Sequence, residues 1–510
     1  MSEMRAAVHV GLFVLTAFLL YLASRTAVLK ASVQYPNSRA LEKNFPISIY
    51  KGLSEAIRFP TISYDLHSGK QLNHTAFEGL HNLIFKRFPR IFRNPPEWVL
   101  HRVIGNYSLL IQVRGLDLRL KPYMLCAHFD VVPVDKKFWT HPPFDGYTDD
   151  VYVWGRGALD DKHNVMALLE MLAYRIHFKN RPQRGFFIAL GHDEEVHGYS
   201  GAKTIAKYLR TLKVTLDFIM DEGLVILQGA VPGVDTPVAL IGVAEKGYLT
   251  VKVKCESVSK HASMPSRETV ITTLSRALTR FINDAHPAYM TALQESLIKE
   301  VAPYARFPYD IIYSNLWLFH PLVELAMARN EIISSQMRTT SAVTVIQGGS
   351  KENTIPNRAE ALVNHRILPG QTIEEVLQYD RKLVKDIPNV SVDIYKKSWS
   401  EPIPSSPYSD NTFGYQNIKR TVKRIYPEAI VAPHLMVANT DTRHYFEANL
   451  TTNIYRFSPV LLTIDDISTI HGNNERISKL NFRRLADFYL QLTRNCDETA
   501  PPIWQRKSEL

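Results

Sequence analysis

Cysteine is almost absent. The 510 residues carry three, Cys126, Cys255 and Cys496, and none stands in a Cys-x-x-Cys pair. That excludes a zinc ribbon and a disulfide-framed fold, and leaves room for at most one internal disulfide. Cys126 lies in an apolar run and reads as a small buried residue rather than a nucleophile. The net charge is +10, yet no dense basic run with interleaved aromatics occurs, so nucleic acid is not an expected partner. There is no fixed-period repeat and no long low-complexity stretch, which removes solenoids and wholesale disorder. Also missing are HExxH, GxSxG and the P-loop, and with them the common zincin, serine-hydrolase and phosphate-cradling sites.

What is present is an ordinary globular composition, 45% hydrophobic and 22% charged, on a chain too long for one ordinary domain. Residues 6–23 form an apolar run without Lys, Arg, Asp or Glu, preceded by Arg5 and followed by Arg25 and Lys30. Residues 1–30 therefore read as a signal peptide or a signal anchor, with small residues Ala23, Ser24, Ala27 and Ala31 offering cleavage sites. The expected destination is secretion; the alternative is a membrane anchor with the catalytic part in the lumen. Sequons at Asn73, Asn106, Asn389 and Asn449 agree with a lumenal chain.

Beyond a polar linker the pattern alternates. Helical spacing starts at Ser48, and strands are expected at 109–113, 123–128, 186–190 and 218–220. Helices are expected from Asn164 and over 201–212. Acids and histidines recur just past the strand ends, as in an α/β domain whose site lines the carboxyl edge of its sheet. From Tyr248 the character changes. Strands at 248–253, 340–346 and 359–366, with helices at 269–281 and 373–384, predict a separate α+β layer. The final hundred residues return to α/β character and carry His434, Asp441 and His471. The expected organisation is a catalytic domain in two parts, 45–244 and 399–498, with an inserted lid domain at 245–398.

The chemistry-bearing residues follow this order. His128 and Asp130 stand two apart at a strand end and share a face, so Asp130 can orient a metal-binding imidazole. Asp160 lies just past the turn Gly155-Arg-Gly157 and just before a helix. Glu194 and Glu195 are adjacent acids beyond a buried strand; one can bind metal while the other handles protons, and their repulsion calls for nearby cations. Each piece alone has a structural account, as a cap or a solvated face. Their succession on consecutive strand ends points to a two-metal hydrolase.

These motifs resemble those of peptidase family M20, which includes carboxypeptidase S, aminoacylase and carnosinase. The matching stretches are Ala127-His-Phe-Asp-Val-Val-Pro133, Gly155-Arg-Gly-Ala-Leu-Asp-Asp-Lys162, Gly191-His-Asp-Glu-Glu195, Asp221-Glu-Gly223 and Ile470-His-Gly472. The resemblance implies an exopeptidase-type catalytic domain, a central β-sheet flanked by helices, with an inserted lid or dimerisation-type domain. It implies two Zn2+ ions per chain. Asp160 would bridge them, His128 and Asp221 would complete one shell, and Glu195 and His471 the other. Glu194 would be the general base, Asp130 the support of His128, and Asp161 a neighbour. A histidine of the inserted domain, His261 in Lys260-His-Ala-Ser263, would stabilise the oxyanion. Asn353 and Arg366 would hold a substrate carboxylate.

Within the family the likeness is to its secreted branch that joins and cleaves fatty acids and amino acids, through Ser314-Asn-Leu-Trp-Leu-Phe319 and Tyr455-Arg-Phe457. That branch implies an N-acyl-amino-acid amidase. A carboxypeptidase or dipeptidase is the alternative, and an inactive metal-binding carrier is disfavoured by the intact Glu194. In either enzyme the partner is a small molecule; the oligomeric state is open. His197 departs from the branch pattern and is not expected to be a ligand. The apolar residues of 282–339, among them Phe307, Tyr309 and Trp317, predict either an acyl tunnel or the core of a helical insert.

Overall fold

A computed structural model describes residues 2–31, 44–64 and 69–498. Its centre is an eight-stranded mixed sheet. The strands run in the order Val99–Ile104, Ser108–Val113, Phe186–Gly191, Tyr123–His128, Ile219–Leu227, Ile454–Leu462, Val238–Glu245 and Ile430–Met436. The core strands Tyr123–His128 and Phe186–Gly191 are buried at every position, which explains their unbroken apolar sequence. They pair in parallel, and Tyr123–His128 also pairs in parallel with Ile219–Leu227. The carboxyl ends of these three strands thus point the same way. Helices Lys162–His177 and Lys479–Asp497 pack against the sheet and share its main core. The α/β class and the large central sheet are as expected. All three cysteines are buried and free.

A second sheet is antiparallel, in the order Thr340–Gly348, Arg358–Ile367, Gly247–Glu256, Val390–Ser400. Helices Val270–Asn283 and Ile373–Val384 cover one face and close a separate core. Each helix starts on a threonine capping box, Thr269 and Thr372, worth about 1 kcal/mol apiece. This sheet lies in sequence between strands of the large one, as an insertion requires.

The helical stretch between these pieces lies inside the expected lid span, 245–398, and packs apart from the small sheet. Helices Ala292–Val301, Tyr309–Ser314 and Leu316–Arg329 do not join the small sheet's core. Leu297, Ile298, Val301, Tyr313, Leu316 and Val323 form a core with Val238, Leu240, Ile430 and Ala432 of the large sheet. We infer that the lid proper is two pieces of chain, and that the helices between them thicken the catalytic domain. Their apolar residues are helix-packing residues, while Phe307, Trp317 and Leu318 are exposed.

Helix Ser2–Ala31 is apolar along residues 4–31 and long enough to cross a membrane, with 6% of its most apolar window buried. Its C-terminal end touches the helical stretch. Lys30 pairs with Asp310 at 2.5 Å, and Asn315 donates to the Leu22 carbonyl at 3.3 Å.

Candidate metal centre

His128 is the last residue of its strand and fully buried. Its Nδ1 lies 3.1 Å from the Asp130 carbonyl and 3.2 Å from Asp130 Oδ1, and the better-aligned contact is with the carbonyl. Asp130 also accepts from the amides of Glu194 and Glu195, both at 3.2 Å. Asp130 therefore aims the imidazole chiefly through its carbonyl, while its buried carboxylate pins the turn that carries the glutamate pair. Asp161 accepts from the His128 amide at 3.1 Å and from Asn164 Nδ2 at 2.5 Å, the position of a supporting neighbour.

Asp160 uses its two oxygens separately. Oδ1 is 3.1 Å from His128 Nε2 and Oδ2 is 2.9 Å from His471 Nε2. His471 Nε2 is also 3.2 Å from Glu195 Oε2, and His128 Nε2 is 3.2 Å from Glu222 Oε1. His128 Nε2 thus faces Asp160 and Glu222, and His471 Nε2 faces Asp160 and Glu195; ligand atoms of His128, Asp160 and Glu195 lie within 4.8 Å of one another, as do those of His128, Asp161 and Glu222. Donors spaced near 3 Å match the edges of a tetrahedron around an ion about 2.0–2.1 Å from each ligand.

Glu222, which the sequence analysis gave no role, is the acid of its pair that faces His128 in the structure. Of the neighbouring pair, Asp221 was expected beside His128. Its Oδ1 instead accepts from the Glu222 amide at 2.9 Å, and its Oδ2 is buried without a hydrogen-bond partner among the described residues. Asp221 and Glu222 fall on opposite sides of the strand, so only one carboxylate can face His128.

The acids crowd together against their charge. Burial, and then Asp160, push Glu195 up to about 7. Burial pushes Glu222 up to about 8 against the pull of His128, and Asp221 up to about 6. Burial, and then Glu222, push Glu194 well above the carboxylate range. Hydrogen bonds to Asp160 and Glu195 hold His471 up at about 10. Asp160 stays well below the usual range because contacts from His128 and His471 outweigh its burial. Such a nest is costly without positive charge inside it. Glu195 Oε1, like Asp221 Oδ2, is buried with no hydrogen-bond partner among the described residues. Imidazole nitrogens and carboxylate oxygens in this number suit a pair of divalent cations.

The cluster opens into a cleft of about 360 Å3. Asp160, Glu194, Glu195, Glu222 and His471 form one wall; Val225, Met436, Val460, Leu462, Ile467 and Ile470 form the apolar remainder. A larger surface groove of about 870 Å3, around Arg87 and Tyr174, contains none of the expected site residues. Asn439 stands at the cleft edge and accepts from Arg366 Nη1. Asn439 Nδ2 donates to Glu245, which pairs with the buried Arg456 at 2.6 Å, so the edge is fixed from beneath. Arg366 also lies over the Tyr248 ring.

The other two expected residues sit elsewhere. His261 and Asn353 meet on the two-stranded ribbon Lys260–His261 with Thr354–Ile355, where the Ala262 amide donates to the Asn353 carbonyl at 3.1 Å. His261 is exposed and bonds Ser263 Oγ at 2.7 Å; neither residue lines the cleft. His197 is exposed and in neither donor set.

Comparison with known proteins shows the family. The pattern of peptidase family M20/M25/M40 matches residues 124–495, the stretch that holds every donor above. The chain is 39% identical over 508 residues to the N-fatty-acyl-amino acid synthase/hydrolase PM20D1 of Xenopus tropicalis, covering 98% of this chain and 96% of that one. It is 37% identical over 458 residues to a Dictyostelium discoideum protein named probable carboxypeptidase S-like 2, covering 89% and 86%. An M20 family metallo-carboxypeptidase of Sulfolobus solfataricus, Sso-CP2, shares the fold with a TM-score of 0.65 at 17% identity, over 88% of this chain and 99% of that one. With its acids and histidines gathered at the sheet's carboxyl edge and its sequence matched along that whole span, the chain belongs to peptidase family M20, metal-dependent enzymes that act on amide bonds.

Proposed function

We propose that the protein hydrolyses, and in reverse forms, the amide bond between a fatty acyl group and an amino acid. The observation that carries this reading is the cleft itself, where a carboxylate base and two donor sets face an apolar wall. The near full-length likeness to a synthase/hydrolase of N-fatty-acyl amino acids supports it. His128, Asp160 and Glu222 would hold one Zn2+, and Asp160, Glu195 and His471 the other, with Glu222 in the place first expected for Asp221. Bound there, the ions supply Lewis acidity, making water acidic near neutral pH and polarising the scissile carbonyl.

The chain's own residues do the rest. Glu194 takes the proton of the attacking water and returns it to the leaving nitrogen; its raised proton affinity suits both halves of that task. Asp130 keeps His128 and the Glu194–Glu195 turn in register. Arg366, beside Asn439, offers a planar donor to the amino acid's carboxylate. The apolar wall of Val225, Val460, Ile467 and Ile470 takes the acyl chain and excludes water. Condensation runs the same path backwards, the amine attacking the acyl carboxyl and water leaving. For His261 to donate to the oxyanion, and Asn353 to the carboxylate, their ribbon must be carried to the cleft by lid closure or by a second chain.

A peptide substrate is the second reading, favoured by the likeness to the carboxypeptidase S-like protein. The same experiment separates the two. Protein collected from the medium of expressing cells is offered oleoyl-phenylalanine and a set of dipeptides, with Glu194→Gln as the control that keeps metal and loses turnover. Cleavage of oleoyl-phenylalanine is expected; turnover of dipeptides alone sinks the lipid reading. Recovery from the medium of a glycosylated chain lacking residues 1–30 is expected from secretion, and the four sequon asparagines are all exposed. A chain retained on membranes with its N-terminus intact would establish the anchor instead.

A further inference from the structure

The lid breaks its own hydrophobic pattern at two positions that face each other. Along strand Arg358–Ile367 the inward residues are Ala359, Ala361, Val363, His365 and Ile367. Along helix Ile373–Val384 the buried stripe is Ile373, Val376, Leu377, Asp380 and Val384. Strand alternation and helix spacing each call for an apolar residue where His365 and Asp380 stand. His286, in the chain just after helix Val270–Asn283, completes the group. The three are 0%, 0% and 3% exposed in that order.

The contacts are those of ligands rather than of a finished hydrogen-bond network. Asp380 Oδ2 is 2.9 Å from His365 Nε2, and Oδ1 is 3.7 Å from His286 Nε2. The first is within ion-pair distance and the second is too long for a hydrogen bond. All four atoms are buried without a hydrogen-bond partner among the described residues. A buried polar atom without a partner costs about 1–3 kcal/mol, and at 3.7 Å the His286–Asp380 pair is too far apart to offset that cost directly. One nitrogen or oxygen from each of the three side chains lies within 4.8 Å of the others. An ion at about 2.0–2.1 Å from three donors sets them roughly 3.3 Å apart, between the two distances seen. His365 Nδ1 lies 3.0 Å from Ser341 Oγ, a contact that fixes the ring and leaves Nε2 free to bind. His286 is braced by the Tyr379 ring, 4.3 Å away between centroids.

We propose that the lid holds a structural divalent cation of the zinc class between His286, His365 and Asp380. Two imidazoles and one carboxylate are borderline donors that suit zinc. Burial leaves no open face for a substrate, so the site is structural, a clamp between strand, helix and loop. It also reaches the substrate site. Arg366 follows His365 on the same strand and points to the opposite face, toward Asn439. The clamp therefore fixes the strand that presents Arg366.

The test counts metal by mass spectrometry on the full-length protein after dialysis against metal-free buffer. The variant His286→Phe/His365→Val/Asp380→Leu restores the apolar pattern, so it folds with or without the ion. It is expected to hold one zinc equivalent per chain fewer than the wild type. In the other arm, Asp160→Asn strips the cleft and is expected to keep one equivalent. Equal metal content in the triple variant and the wild type overturns the proposal and leaves a His–Asp–His cluster sharing protons. Loss of all metal from Asp160→Asn overturns it equally.

Discussion

Asp221 and Glu222 are neighbours in sequence and separate in role. The pair is legible as a motif, but which carboxylate meets His128 depends on local backbone. Strand Ile219–Leu227 pairs with Ile454–Leu462 through a register shift: Asp221 opposes Arg456, and Leu224 already opposes Phe457. Between them Gly223 has φ 149°, and a Cβ there would sit 2.7 Å from the Arg456 side chain. Only glycine permits that approach. No periodicity argument foresees an irregular strand, so the motif by itself does not say which of the two acids faces His128. Glu222→Gln is expected to release one of the two cleft metals and to lower activity at least 10²-fold, while Asp221→Asn keeps both. Metal analysis of the two variants decides it, and the opposite pattern returns the ligand role to Asp221.

At the scale of elements, two loops far apart in sequence make one strap. The turn after Trp154 carries Asp160, and the loop before strand Arg476–Ser478 carries His471. Glu475 joins them. It accepts from Arg156 Nη1 at 2.7 Å and from the amides of Gly157, Leu159 and Asp160 at 3.1, 2.6 and 3.1 Å. Arg156 Nη2 donates in turn to the Gly472 carbonyl at 2.8 Å. The motifs around Asp160 and His471 announced themselves, whereas Glu475 sits in no motif. Its partner lies 319 residues earlier, a pairing only the folded chain reveals. Glu475→Ala leaves the buried Arg156 unpaired, which typically costs about 3–5 kcal/mol. The expected result is a lower melting temperature together with loss of cleft metal. A variant with unchanged melting and full metal would show that the strap does not position the site. The packing of the helices of 292–329 is hidden for a related reason, since their amphipathic spacing says that they bury a face but not which sheet receives it.

The whole molecule is arranged so that its stability depends on what the cleft holds. In the metal-free protein Glu195 and Glu222 take up protons more readily folded than their ordinary value of 4.5, reaching about 7 and about 8. Asp221 does the same, from 3.8 to about 6. An acid whose folded affinity is raised contributes stability that is fully present below the ordinary value. That contribution is lost as pH rises toward the folded one, because the unfolded chain then binds fewer protons. Metal-free protein should therefore lose stability steadily between about pH 4.5 and pH 8 from this group of acids. Metal competes with those same protons, so its binding strengthens across the same interval. The gap in melting temperature between metal-loaded and chelator-treated protein should be small near pH 5 and grow towards pH 8. Both profiles are taken on the His286→Phe/His365→Val/Asp380→Leu protein, which removes the lid cluster, and the difference then cancels the titration of groups that metal does not touch. Parallel pH profiles for the two forms would show that these acids do not exchange protons for metal, and the cleft would lose its standing as a metal centre.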